Sequence, residues 1–268
     1  MTAALWSVSL VVGLAAGVGS FALFLSIPES WIREDEPDEE PVAPLPKPRL
    51  RLLPFGLLWI LTCVALSAQA FSSWGNSWIA ALCVLSLVPL SIVFVSDCMT
   101  RIIPDQAVVA LAVLGVLFWA LGLIPSLHGA LPGMFSATAP WYLEALNRIG
   151  AALAGGLLLL VVGWIGSRMA GGAEAMGMGD VKLLAAIGLL TGIWGLLAVL
   201  LVAFVTGAVY AVPALMRKYR RRPVDTEEAG DLPDGTMPFG PFLVVGGLSV
   251  LFFSDQLQAV ASWYLSVF

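Results

Sequence analysis

At 268 residues, 59% hydrophobic and 12% charged, with a mean hydropathy of +0.94, the chain carries far more apolar surface than a soluble core needs. The class this implies is an all-α, polytopic integral membrane protein. A net charge of −5, set mainly by two acidic loops, argues against a nucleic-acid partner. Cys63, Cys83 and Cys98 are far apart with no CxxC pair, and His128 has no ligand cluster around it, so neither a disulfide framework nor a metal site is expected.

Residues 3–27 form an apolar run long enough to cross a bilayer with some tilt, and lack the basic start and shorter core of a cleaved signal peptide. Residues 1–27 are therefore expected to be a first transmembrane helix. The next stretch, 28–53, breaks sharply from it: Glu34 to Glu40 holds six carboxylates, five prolines lie from Pro37 to Pro48, and Lys47, Arg49 and Arg51 follow. Such a composition cannot bury a core and reads as a flexible acidic loop. Apolar runs follow at 54–72 and 77–96, the second ending at Asp97. The polar connection Cys98 to Asp105 leads to a fourth span at 106–125, and a loop of small residues leads to a fifth at about 145–167.

The Gly-rich linker Gly171 to Gly179 then opens a short apolar helix, 180–191, followed after Thr191-Gly192 by a full-length one, 193–216. Twelve residues cover roughly 18 Å, so the short helix is a partial span or borrows length from its neighbours. Such a segment is tolerated where protein buries it or where it lines a wet cavity. A charged loop, 217–238, and a last span, 239–265, bring the total to about eight helices. If the 28–53 loop is cytoplasmic, twelve of the 13 lysines and arginines fall on that side and Arg148 alone on the other, a strong positive-inside signal.

The same topology sets Asp97, at the inner end of the third span, and Asp180, at the inner start of the short helix, at one depth. A carboxylate opening an apolar helix in a membrane is a functional-site hypothesis by default. Asp180 alone reads equally well as an N-cap, and Asp97 alone as a marker of the water boundary. Together they suit a carboxyl dyad. Two carboxyls sharing a site hold one proton between them near neutral pH. The ionised member takes a proton from a water attacking an amide carbonyl, while the protonated one polarises that carbonyl. Gly177 and Gly179 give the loop before Asp180 backbone freedom and allow another chain to come close.

From residue 78 to about 245 the chain resembles the type IV prepilin peptidases, or leader peptidases, intramembrane aspartic proteases of the Gly-x-Gly-Asp type. Asp97-Cys98-Met99-Thr100-Arg101-Ile102-Ile103-Pro104-Asp105 is similar to their first aspartate box, Gly177-Met178-Gly179-Asp180-Val181-Lys182 and the residues to Gly188 to their second, and Pro238-Phe239-Gly240-Pro241-Phe242 to their C-terminal Pro-Phe-Gly-Pro run. The resemblance implies that Asp97 and Asp180 are catalytic, with Gly177, Gly179 and Lys182 in the active-site loop. Arg101, Pro104, Asp105, Pro238 and Gly240 fall within the boxes as supporting positions. Asp105 is read as the cap of the fourth helix and Lys182 as a positive-inside anchor rather than a holder of the dyad's charge. The implied activity is removal, after a glycine, of the basic leader of prepilins or type II secretion pseudopilins, at the cytoplasmic face of a bacterial inner membrane. Residues 54–268 would form the peptidase core, and the pilus or secretion assembly machinery a further partner.

Gly19-Ser20-Phe21 is similar to a Gly-Ser-Phe near the end of the family's first helix. Beyond it the pattern departs. Long members carry a zinc domain with paired CxxC motifs between their first two helices, and many N-methylate the new N-terminus with S-adenosylmethionine. Residues 28–53 hold no cysteine, so no zinc domain and no metal are expected here, and S-adenosylmethionine only if a methyltransferase activity is retained. Two other classes compete. A small ion- or proton-coupled transporter also uses intramembrane carboxylates, but near the midplane rather than at one edge. A non-catalytic assembly partner would tolerate loss of both aspartates.

Overall fold

The computed structural model describes residues 3–28, 55–75, 78–122, 140–169, 177–220 and 238–267, and among them it is helical with no strand. The helices are α1 (Ala3–Ser26), α2 (Leu57–Trp74), α3 (Trp78–Thr100), α4 (Asp105–Gly122), α5 (Trp141–Met169), α6 (Met178–Arg220), α7 (Gly240–Phe252) and α8 (Ser254–Val267). The acidic loop expected at 28–53, from residue 29 on, with its expected lack of a zinc domain, the His128 loop, the linker up to residue 176 and the charged loop from 221 to 237 lie outside the described residues.

Among the described residues, five stretches are long and apolar enough to cross a membrane: Leu5–Ser26, Leu57–Trp74, Trp78–Thr100, Trp141–Met169 and Met178–Pro213. Of the roughly eight crossings expected, these five have both the length and the hydropathy; α4 and α7 are shorter apolar helices. The single last span expected at 239–265 is corrected. It is divided at Phe253, whose φ of −127° and ψ of 29° leave the helical region, so α7 and α8 are separate.

Small residues bring the helices together. Gly13 and Gly17 of α1 let the backbone of α2 approach so closely that a Cβ on either would meet Val64 Cα at 2.8 Å or Ile60 Cα at 3.0 Å. The Gly19-Ser20-Phe21 segment serves the same contact: Ser20 Oγ accepts from Trp59 Nε1 at 2.9 Å, and the Phe21 and Trp59 rings meet edge to face.

The chain doubles back inside α6. Gly192 adopts φ 69° and ψ −178°, a backbone that side chains avoid. A Cβ on Gly155 of α5 would lie 3.2 Å from both Leu184 and Leu196, so residues twelve apart in sequence sit at one depth. Straight helix would separate them by roughly 18 Å. The expected division into a short helix and a longer one at Thr191-Gly192 is therefore present as a hairpin. The first half, 178–191, packs between α4, α5 and α7: Gly115, Gly188 and Gly247 each bring backbone or Ile187 to van der Waals range.

Candidate active site

Asp97 lies in the last turn of α3 and is 4% exposed. The chain leaves that helix through Arg101, whose φ of 60° is the one positive value at a non-glycine among the described residues. A side chain in this region costs roughly 1–2 kcal/mol. Local bonds hold the turn: Arg101 N–H donates to the Asp97 carbonyl at 3.1 Å, the buried Ser96 Oγ to the Ile102 carbonyl at 2.7 Å, and Thr100 Oγ1 to the Ser96 carbonyl at 2.9 Å. Arg101 thus supports the site through its backbone, and its exposed side chain also carries a positive charge near enough to act on Asp97. The turn returns Ile103 and Pro104, both buried, into the protein.

Two glycines meet Ile103 from different helices. A Cβ on Gly179 would lie 3.1 Å from Ile103 Cβ, and one on Gly240 would lie 3.2 Å from Ile103 Cδ1 and 2.6 Å from Asp97 Oδ2. The first turn of α7 therefore rests directly on the Asp97 carboxyl, with the Gly240 amide turned to it. Pro238 is half-buried just ahead of that turn. Gly177 behaves differently from Gly179: a Cβ there would meet open space, so the expected close approach holds for Gly179 alone.

α6 begins at Met178, and the Gly177 carbonyl accepts from Asp180 N–H at 3.2 Å. Asp180 is thus inside the first turn and is not the N-cap. It is half-buried and close enough to Asp97 for the charge of one carboxyl to act on the other. Asp97 Oδ2 and Asp180 Oδ1 are buried and have no hydrogen-bond partner among the described residues. Buried polar atoms are rarely left so in a folded protein, and those that are call for a functional account.

The reading of Asp105 as a helix cap is also corrected. The Pro104 carbonyl accepts from Val108 N–H at 3.3 Å, which puts Asp105 inside α4 rather than at its cap. Both its oxygens accept from Lys182 Nζ, at 2.8 and 3.0 Å, in an exposed ion pair that ties α4 to the start of α6. Lys182 is therefore paired with Asp105 rather than with Asp97 or Asp180.

An apolar cleft of about 750 Å³ opens between α2, α3 and α7; Asp97 does not line it, but the next residue, Cys98, does. Cys98 and Met99 reach its near end, Leu87 and Leu248 its far end, and Trp59 forms part of the wall. Its hydroxyls are already used, Thr62 Oγ1 donating to the Leu58 carbonyl and Ser91 Oγ to the Val88 carbonyl, each at 2.9 Å. Sequence reasoning missed the part played by Ile103 and Ser96. The available signal was Ile103 itself, an apolar residue inside the polar connection between α3 and α4.

Residues 83–212 match the sequence model of the type IV leader peptidase family. The chain is 30% identical over 212 residues to the prepilin leader peptidase/N-methyltransferase of Aeromonas salmonicida strain A449, covering 78% of this chain and 60% of that protein. It is 31% identical over 199 residues to the protein of the same name from Stutzerimonas stutzeri, covering 74% and 58%. The corresponding figures for Burkholderia pseudomallei strain 1026b are 34% over 193 residues, covering 70% and 52%. The chain thus spans at most about 60% of the length of these curated relatives. No solved structure matches it. The stretch similar to the type IV leader peptidase family, residues 83–212, is the one that holds both aspartates.

Proposed function

We propose that this protein is an intramembrane aspartic endopeptidase that removes the leader from prepilins or pseudopilins, with Asp97 and Asp180 as its catalytic pair. The observation that carries the reading is the pair of buried, unpartnered oxygens, Asp97 Oδ2 and Asp180 Oδ1, on carboxyls whose charges act on each other. One carboxylate takes a proton from water as the water oxygen bonds to the scissile carbonyl carbon. The other carboxylic acid donates a hydrogen bond to the carbonyl oxygen. Transfer of a proton to the amide nitrogen then lets the C–N bond break, and the pair again holds one proton. No metal and no cofactor enters these steps.

Cleavage after a glycine, a basic leader, a bacterial inner membrane and a cytoplasmic active site belong to the same proposal, supported by the family match and the one-sided distribution of basic residues. The bilayer and the pilus or secretion assembly machinery are the remaining partners. The cleft that reaches Cys98 suits the apolar segment of the polypeptide being cut, because its walls are apolar and it offers no unused hydroxyl. For the same reason it does not suit S-adenosylmethionine, whose adenosine and amino-acid groups need polar partners. We derive no methylation step.

The test is cleavage of co-expressed prepilins, read by mass spectrometry of the mature N-terminus, with Asp97→Ala and Asp180→Ala variants. Each should abolish leader removal, since groups acting as a unit fail together. Substantial cleavage by either would overturn the assignment, and loss of solute flux with cleavage intact would turn the reading to a transporter.

A further inference from the structure

A second group of buried polar side chains lies far from the aspartates, on α5. Glu144 is 2% exposed and Arg148 is 1% exposed, and with Asn147 they share one face at helical spacing. Arg148 Nε donates to Glu144 Oε1 at 2.9 Å, and Asn147 Nδ2 donates to Glu144 Oε2 at 3.3 Å. Buried ionised residues inside an apolar helix are expensive in a membrane and mark function. Nothing in the cleavage chemistry uses these.

Their other bonds go to the hairpin in α6. The break at Gly192 leaves the last carbonyls of the first half and the first N–H of the second half without helical partners. Arg148 Nη1 donates to the Leu189 carbonyl at 3.3 Å and to the Leu190 carbonyl, while Asn147 Oδ1 accepts from Ile193 N–H at 3.0 Å. One side-chain cluster therefore closes both ends of the break.

Because Gly192 uncouples the two halves, the depth of the first half is set by what holds it rather than by the helix beyond. Asp180 rides on that half, about ten residues and roughly 15 Å from the clamp. A slip of one residue would move the half by 1.5 Å along its axis and turn it by about 100°. That would carry Asp180 off Asp97, and it would break the fit in which Gly188 lies against the Ala151 backbone, where a Cβ would meet the carbonyl oxygen at 2.7 Å.

We propose that Arg148, fixed by Glu144, is a positioning residue: an axial stop that holds the first half of α6 at the register where Asp180 faces Asp97. This rests on reading those aspartates as the catalytic pair, and the register itself can be measured without activity. Arg suits the task because its planar fork serves the carboxylate and the carbonyls at once, whereas a lysine ammonium is a single point.

The experiment uses the full chain with its own cysteines replaced by alanine, carrying Ile103→Cys and Gly179→Cys. A Cβ at 179 would lie 3.1 Å from Ile103 Cβ, close to the span a disulfide bridges, and a one-residue slip would separate them. With Arg148 present, mild oxidation should cross-link most molecules; R148M should lower the yield severalfold, and R148K should restore part of it. In a parallel set without the added cysteines, R148M should lower kcat for leader cleavage about 100-fold, the scale set by a misplacement near 1 Å, with KM within about twofold. E144Q should fall between R148M and the unaltered chain in both readouts, and with R148K it carries the test if R148M fails to accumulate. Unchanged cross-linking and kcat would reduce the cluster to a cap on the break. A fall in kcat with unchanged cross-linking would also overturn the proposal. Cleavage surviving in Asp97→Ala or Asp180→Ala would instead refute the catalytic reading and leave the register result standing.

Discussion

Adding one methyl group at Gly240 tests the site more sharply than removing a charge. A Cβ there would lie 2.6 Å from Asp97 Oδ2 and 3.1 Å from its Cγ. Ordinary carbon–oxygen contacts begin near 3.3 Å, so the carboxyl or the first turn of α7 must move by about 0.7 Å. The carboxyl is 4% exposed and Ile103 Cδ1 stands 3.2 Å from the same Cβ, which leaves little room to yield sideways. A displacement approaching 1 Å at a catalytic group costs on the order of 100-fold in rate, so Gly240→Ala should lower kcat by about 10- to 100-fold with little change in KM. Stability should move little, because alanine favours a helix over glycine by up to about 1 kcal/mol and offsets part of the strain. Gly179→Ala meets Ile103 Cβ at 3.1 Å and should lose less, and Gly177→Ala, facing open space, should match the unaltered protein. The assay is prepilin cleavage in detergent or proteoliposomes with kcat and KM resolved, alongside thermal unfolding. Full kcat in Gly240→Ala, or a loss in Gly177→Ala equal to that in Gly240→Ala, would refute the packing argument.

Lys182→Met removes an exposed ion pair with Asp105 and should cost at most about 1 kcal/mol in stability, and Asp105→Ala should keep much of the cleavage; abolition by either would place the pair in the chemistry. Activity should survive chelators, and the purified protein should hold no stoichiometric zinc, because no cluster of three metal-ligating side chains occurs among the described residues; one zinc per chain by metal analysis would contradict this. Replacing the six acids of Glu34 to Glu40 with serine and glutamine should raise KM for a lysine-rich leader, chiefly at low salt, and leave kcat unchanged; a KM indifferent to ionic strength would reduce the block to a spacer.

What the sequence disclosed followed from local rules. Long apolar runs located the helices, and a short run ending in Thr191-Gly192 disclosed the break in α6, because glycine is where a helix can leave its φ range. Asp97 and Asp180 stood out because carboxylates are rare in such runs. What stayed hidden was set by contacts across the fold. Lys182 finds its partner 77 residues away, and no local pattern names Asp105 as that partner. Arg148 looked like the lone basic residue on the far side, whereas it is buried among backbone groups that a helix break 41 and 42 residues later exposes. The division at Phe253 did leave a local mark, since Ser254-Asp255-Gln256 interrupts the apolar run with residues suited to a helix start, but a hydropathy window spanning 239–265 averages over it.

The three short motifs are parts of one packing problem. To share a proton, two carboxyls from different helices must come within a few ångströms of each other in a place water reaches sparingly. Side chains of ordinary size on the first turns of α6 and α7 would hold those helices off. Gly179 and Gly240 remove that obstacle, and Ile103, swung inward by the left-handed turn at Arg101, fills the space between them with a stiff, branched side chain. Position is thus fixed by backbone contact, on which a few tenths of an ångström register. The Lys182–Asp105 pair contributes less, since it is solvent-exposed and such pairs are worth about 0–1 kcal/mol. It follows that the site should tolerate loss of a full ion pair better than the gain of a single methyl at Gly240, the reverse of the order that charge alone would suggest.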